Sequence, residues 1–226
     1  MWAVVPIRSF DDGKRRLAPV LDDGLRAALV EAMFLDVLDL LVGAPGLDGV
    51  LTVTRDPAAQ TRAQERGVEV LEERGHGLNP ALTQAAEHLE CGRRDALLVV
   101  PGDVPLASRA ELARIVAAHG GTPSLTLVPD REGEGTNALA CSPPSLVEFC
   151  FGKGSAEAHL RQGRRRGALV RTLALPGFGL DVDTVVDLAD LRIRGAHTRA
   201  GRLLAGMPQG AGERAGIVGG TVEAGG

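Results

Sequence analysis

The chain contains no tyrosine, one tryptophan and five phenylalanines, so only 3% of its 226 residues are aromatic. That is too few rings for a nucleic-acid surface built on base stacking. A formal net charge of −4 gives no general pull toward nucleic acid or an anionic membrane. Neither partner is expected, and any acidic ligand must be held by local cations or a metal. Cysteine is scarce: Cys91, Cys141 and Cys150 are odd in number and widely spaced, with no C-x-x-C pair. That excludes a disulfide framework or zinc knuckle, and the thiols are expected buried and reduced in a cytoplasmic protein. The apolar opening Trp2–Ile7 is too short for a secretory leader, and no later run approaches a membrane span. The first loop lacks G-x-G-x-x-G, and no G-x-x-x-x-G-K-[ST] occurs, which excludes the two common glycine-rich nucleotide motifs. His88, His119, His159 and His197 fall in predicted helices or at their ends without ligand spacing, and are expected on the surface. No Ser-His-Asp or Cys-His arrangement stands out, so acyl transfer through a covalent nucleophile has no support.

What is present is a regular alternation of elements. With 44% hydrophobic and 24% charged residues, the chain can bury the core of one large domain. Trp2–Ile7 reads as a buried first strand, followed by the polar loop Arg8–Arg16. From Asp22 to Val42, Leu25, Leu29, Met33, Val37 and Leu41 recur at i, i+4 spacing. With Asp22 or Asp23 as cap and Gly43 as terminator, that predicts an amphipathic helix. Strands are predicted over Val50–Thr54, Val68–Leu71 and Ala96–Val100, with helices over Pro57–Arg66 and Pro80–Leu89 between them. Such alternation implies βαβ crossovers and a mainly parallel sheet. After a helix over Arg109–Ala118, the strands Ser124–Val128 and Ala138–Cys141 flank the glycine-rich loop Asp130–Asn137 and predict a hairpin in a mixed sheet. A helix near Ala156–Arg165, a strand over Leu169–Leu175 and a helix over Thr184–Arg192 complete a single α/β domain over residues 1–205. From Gly206 onward 8 of 21 residues are glycine, so a disordered tail is expected over 206–226.

Carboxylates stand where two of these segments should end. Asp103 lies in Pro101–Leu106, directly after the apolar run Ala96–Val100, and Asp181 and Asp183 lie in Gly179–Thr184. Open α/β sheets bind ligands beyond the carboxyl ends of their strands, and acidic residues gathered there suggest Mg²⁺ holding phosphates. Ser108 is the better-placed cap for the helix after Asp103, which leaves Asp103 for a metal. Asp183 has a competing role as N-cap of the helix starting at Thr184, and both roles stay open for it. In extended chain Asp181 and Asp183 face the same way.

Phosphates also need cations and amides. Gly13 followed by Lys14-Arg15-Arg16 offers a turn and positive charge for a triphosphate, although a solvated basic loop accounts for these residues equally well. In Arg74–Asn79, Gly75 and Gly77 permit close backbone approach and Asn79 could bond a base or ribose. A plain turn with Asn79 as N-cap is the equal alternative. Gly135-Thr136-Asn137 and Phe151–Ser155 are loops rich in small donors. Ser155 could cap the next helix and make its start an anion site, while Lys153 reads as a solvent-exposed lysine.

Taken in order, these segments resemble the 2-phospho-L-lactate / phosphoenolpyruvate guanylyltransferase family of deazaflavin coenzyme F-420 biosynthesis. The matching blocks are Val5-Pro6 with Lys14–Pro19, then Gly77–Leu82, Pro101–Leu106, Gly135–Leu139, Phe151–Ser155 and Leu180–Thr184. The likeness covers about residues 1–195, and the ordered spacing of six blocks is far more specific than any one. It implies a mixed, mainly parallel sheet with helices on both faces, of the nucleotide-diphospho-sugar transferase (GT-A, Rossmann-like) type. It implies transfer of GMP from GTP to a phosphorylated three-carbon acid, with Mg²⁺ held by Asp103, Asp181 and Asp183. Lys14 and Arg16 match the GTP-phosphate loop and, with Asp103, the catalytic positions; Gly77 and Asn79 match the nucleotide turn. Thr136, Gly152 and Ser155 match the acceptor pocket. Arg8 stands where a lysine is common and Lys153 where a proline is common. High Gly, Ala and Arg content hints at a GC-rich bacterial source, which tilts the acceptor to phosphoenolpyruvate over 2-phospho-L-lactate or 3-phosphoglycerate. A sugar-phosphate or molybdopterin nucleotidyltransferase would show a Leu-Ala-Gly-Gly type start, absent here. A non-catalytic nucleotide-binding module is the alternative from another class, and a homodimer is compatible with the sequence.

Overall fold

Alternate residues along the strands enter two different cores, one on each face of the sheet. In β1 (Trp2–Pro6), Ala3 and Val5 join one core and Val4 the other. In β4 (Leu97–Val99), Leu98 lies on the first side, with Leu97 and Val99 on the second. This is the two-residue period of a sheet covered on both faces. A computed structural model of the chain describes residues 1–11 and 13–206; the expected tail, apart from Gly206, lies outside the described residues.

The remaining strands are β2 (Gly49–Thr54), β3 (Glu69–Glu72), β5 (Ser124–Pro129), β6 (Thr136–Ser142) and β7 (Leu169–Thr172). The sheet order is β3-β2-β1-β4-β6-β5-β7. All pairings are parallel except those that β6 makes with β4 and β5, so the expected hairpin exists and inserts one reversed strand. The helices are α1 (Asp23–Leu41), α2 (Pro57–Gln64), α3 (Leu78–Cys91), α4 (Arg109–Ala118), α5 (Ser155–Arg165), α6 (Val185–Arg194) and α7 (Arg199–Ala205). Buried residues of α1, α2, α4, α6 and α7 fill the first core, and those of α3 and α5 the second.

Capping explains most boundaries. The Asp22 carboxylate accepts from Leu25 N, and Ser108 with Glu111 forms a capping box on α4. Two predicted caps are corrected. The cap of α3 is Gly77, at φ +104°, where a side chain would be strained, and Asn79 lies inside the helix. The cap of α6 is Thr184, in a capping box with Asp187, and Asp183 precedes it.

Helix α7 is not anticipated from the sequence, because seven residues are too short for a periodic signal. Tertiary contacts make it: Asp36 of α1 accepts from the backbone N–H of Arg199 and Ala200. Gly201 packs so tightly that a Cβ there would lie 2.0 Å from the Gly195 carbonyl oxygen. Gly201→Ala is therefore expected to lower the unfolding free energy by about 1–3 kcal/mol. Urea denaturation checks this, and an unchanged midpoint would mean that α7 does not pack in this way.

Candidate active site

The parallel strands β1 and β4 end at one edge of the sheet, and the reversed strand β6 begins there. Loops from distant parts of the chain therefore meet at this edge. Lys14 sits in the left-handed region (φ 55°, ψ 40°), just before a 3-10 turn at Arg15–Leu17. Its ammonium donates to Asp103 Oδ2 at 2.5 Å and to Asp183 Oδ1 at 2.6 Å, and its side chain is 8% exposed. Burial alone would lower the Lys14 pKa. The charges and hydrogen bonds of Asp103 and Asp183 outweigh it and hold the pKa well above the ordinary lysine range, so Lys14 remains charged at neutral pH. Arg16 reaches the rim, 78% exposed, with Nη1 4.0 Å from the second Asp183 oxygen.

Asp181 completes the acidic group. Asn137 Nδ2 donates to Asp181 Oδ1 and to the Phe178 carbonyl oxygen, both at 3.0 Å. Burial raises the Asp181 pKa, the Asn137 hydrogen bond opposes the rise, and the neighbouring charges of Asp103 and Asp183 add to it. The backbone stitches the two acidic segments together: Val182 N donates to the Asp103 carbonyl at 3.1 Å. Val182 is fully buried, which turns Asp181 and Asp183 to the other side of an extended stretch.

Among the described residues, no three His, Cys, Asp or Glu side chains have the geometry of a metal site. Lys14 bridges Asp103 and Asp183 instead. One oxygen still lacks a partner: Asp103 Oδ1 is buried without a hydrogen bond among the described residues. A buried, partnerless carboxylate oxygen beside a second carboxylate with a raised pKa fits a hard divalent cation, with Asp103 and Asp181 as donors.

A second cluster gathers the expected acceptor residues. Thr136 Oγ1, at the start of β6, is 2.9 Å from Ser155 Oγ and 3.1 Å from His159 Nδ1. Ser155 does not cap α5; Gly154, at φ +73°, takes that position and Ser155 is the first helical residue, 1% exposed. Gly152 lies in the exposed turn before it. Asn79 Oδ1 accepts from Phe151 N at 2.7 Å while its Nδ2 donates to the Phe151 carbonyl at 3.3 Å. Its amide is thus committed to backbone, and it joins the Gly77 turn to the acceptor loop.

Three surface expectations are corrected. His159 is fully buried, and its Nε2 accepts from Cys150 N at 3.1 Å. The signal for it was the i, i+4 spacing from Ser155 on α5. His119 is half-buried between Thr126 and Ser142, and His88 is half-buried beside Glu69; His197 is exposed as expected. Of the thiols, Cys141 is buried, Cys150 half-buried and Cys91 exposed, so the expectation of burial fails for Cys91. Asn137 went without a role in the sequence reading because asparagine in a glycine-rich loop is locally ordinary.

Burial pushes the His159 pKa down to about 4. An unfolded chain takes up that proton below about pH 6.5, whereas the folded ring resists it until about pH 4, so acid favours unfolding across this window. Unfolding free energy is expected to fall on the order of 2–3 kcal/mol through that range on account of His159. His159→Gln removes this part of the slope and leaves that of His119, whose pKa is also lowered to about 4, by burial and by the Arg171 and N-terminal charges. Denaturant titrations at a series of pH values check it.

Comparison with known proteins gives the family and the fold type. A family model described as guanylyl transferase CofC like matches residues 1–208. The phosphoenolpyruvate guanylyltransferase of Rubrobacter xylanophilus is 38% identical over 195 residues, covering 86% of this chain and 95% of that protein. The 2-phospho-L-lactate guanylyltransferase of Methanothermobacter thermautotrophicus is 32% identical over 200 residues, covering 88% and 86%. Among solved structures, a candidate nucleotide-diphospho-sugar transferase from Desulfovibrio desulfuricans superposes with a TM-score of 0.72 at 16% identity, covering 90% and 93%, which supports the expected fold type. Among the described residues no helix is long and apolar enough to cross a membrane. With its sheet, its converging aspartates and its basic loop in one arrangement, the chain belongs to the guanylyltransferase family and is a nucleotidyltransferase.

Proposed function

We propose that this enzyme transfers GMP from GTP to phosphoenolpyruvate, releasing pyrophosphate, as a step of deazaflavin coenzyme F-420 biosynthesis, with Mg²⁺ as cofactor. The observation that carries the reading is the Lys14 ammonium, 2.5 and 2.6 Å from carboxylates of two distant segments, at the ligand-binding edge of the sheet. The acceptor follows the name of the Rubrobacter relative. The name of the Methanothermobacter relative favours 2-phospho-L-lactate as the second reading.

Both reactants are anions, so their mutual repulsion is the main barrier to bringing them together. Lys14 stays charged and is held in place before substrate arrives, which offsets that repulsion without reorganisation. Arg16, exposed at the rim, suits the outer phosphates through its bidentate fork. The glycine turn at Gly77 lets the backbone approach the nucleotide, and Asn79 fixes that turn against Phe151. Thr136, Gly152 and Ser155 take the acid. Asp103 and Asp181, with Asp183 beside them, would hold Mg²⁺, which supplies Lewis-acid stabilisation of phosphate oxygens when bound. An oxygen of the acceptor phosphate attacks the α-phosphorus of GTP, and the bond to pyrophosphate breaks. With its second pKa near about 6, that phosphate is already ionised at neutral pH. No general base is needed, in keeping with the low pKa and full burial of His159.

Pyrophosphate release from GTP, assayed side by side with phosphoenolpyruvate, 2-phospho-L-lactate and 3-phosphoglycerate, is expected to be fastest with the first. Asp103→Asn and Lys14→Met are each expected to lose about 10²-fold or more in kcat, with unchanged circular dichroism. Chelation of divalent cations is expected to stop the wild-type reaction. Release with none of the three acids, or near-normal turnover by Asp103→Asn, would overturn the proposal.

A further inference from the structure

We infer that His159 is a positioning residue for the acceptor pocket, fixing a hydroxyl relay through Thr136 so that the Thr136–Ser155 pair keeps one O–H hydrogen for an anionic oxygen of the phosphorylated acid. This rests on the acceptor reading of Thr136 and Ser155 above.

The direction follows from one donor that cannot reverse. The Cys150 backbone N–H donates to His159 Nε2 at 3.1 Å, so Nε2 carries its lone pair and the ring is neutral. The single ring hydrogen is then on Nδ1. Nδ1 lies 3.1 Å from Thr136 Oγ1 and donates to it. The Thr136 hydrogen cannot point to Nδ1, which carries its own hydrogen. Thr136 Oγ1 and Ser155 Oγ share one hydrogen bond at 2.9 Å, with either as donor. The pair thus has two hydroxyl hydrogens and one bond between them, so one hydrogen has no acceptor among the described residues.

A buried donor without a partner is unfavourable, and an anionic oxygen relieves that cost. The relay thus leaves the Thr136–Ser155 pair with a hydrogen to give, which suits phosphate or carboxylate. The ring cannot easily turn, because Phe151 meets it edge-on with centroids 5.1 Å apart. The members of the relay come from three separate places: the start of β6, the loop before Phe151 and the first turn of α5. Their shared dependence on one imidazole is what makes His159 a control point rather than a space filler.

The relay and the enzyme reading are tested separately. In the wild-type protein, ¹⁵N spectra of the His159 ring are expected to show hydrogen on Nδ1 and a lone pair on Nε2, whether or not any acid is turned over. In the transfer assay, His159→Leu is expected to raise the KM for the phosphorylated acid about tenfold, the worth of one hydrogen bond to a charged group. The KM for GTP stays where it was. His159→Gln has both an acceptor for Cys150 N–H and a donor for Thr136, and is expected to restore most of the loss. In a Ser155→Ala background, His159→Leu is expected to add less than about twofold, because the two act along one path. Hydrogen on Nε2, an acid KM unmoved by His159→Leu, or independent penalties in the double variant would overturn the inference. If the wild type turns over none of the three acids, the acceptor role falls with the enzyme reading, and the ring spectrum alone decides whether the relay exists.

Discussion

A lysine ammonium, nearly excluded from water and clasped by two carboxylates, is the interaction on which the site depends. Removing such a charge from solvent costs several kcal/mol, and only close, well-aligned partners offset it. Lys14 has them at 2.5 and 2.6 Å. Its backbone is also held in the left-handed region, a conformation that costs about 1–2 kcal/mol for a residue with a side chain. The fold holds it there through Gly13, where an added Cβ would lie 2.7 Å from Val30 Cγ2 on α1. The loop is therefore pressed against a helix that anchors the first core. Strain and buried charge placed together, with the surrounding structure fixing both, are the mark of a site built for binding rather than for stability.

The reversed strand is what brings two polar clusters to one edge of the sheet. In an all-parallel sheet only strand ends would face this edge. Because β6 runs the other way, its first residues stand there, and neighbouring residues in a strand point to opposite sides. Thr136 turns to Ser155 and His159, while Asn137 turns to Asp181 and the Phe178 carbonyl. Two consecutive residues thus divide the Thr136 cluster from the acidic cluster, and their separation is set by the pleat.

Local sequence carried those elements whose boundaries are set by caps and by apolar period. Helix α4 begins and ends where Ser108 and the pattern of Leu112 and Ile115 place it. The reading also assembled the right segments at the sheet edge, because Asp103, Asp181 and Lys14 each follow recognisable elements. It failed where tertiary contacts decide. Helix α7 exists because Asp36, more than 160 residues earlier in the chain, accepts from its first amides. Asn79 looked equally like a cap or a base contact, and only the fold shows it paired with the Phe151 backbone. His159 reads as surface because it stands in a helix without ligand spacing, yet the face that α5 turns inward is the one carrying Ser155 and His159. The bridge of Lys14 between Asp103 and Asp183 was also illegible, since each residue was assigned to phosphate or metal separately.

The pairing of Asn79 with Phe151 has a consequence for how the two halves of the site communicate. Asn79 lies in the first turn of α3, directly after the glycine turn expected to meet the nucleotide. Phe151 opens the turn expected to meet the acid, and its ring packs on His159, which in turn fixes Thr136. The two turns are joined through two hydrogen bonds between the Asn79 amide and the Phe151 backbone and one ring contact, all contiguous. Coupling of this kind requires that each ligand favour the same arrangement of the shared element. The shared element here is the Phe151–Ser155 turn, whose glycines sit at φ +130° and +73°, values that a side chain rarely adopts. The Gly77 turn and the Phe151–Ser155 turn are thus held to each other by contacts that the fold itself supplies, in place whether or not a ligand is bound.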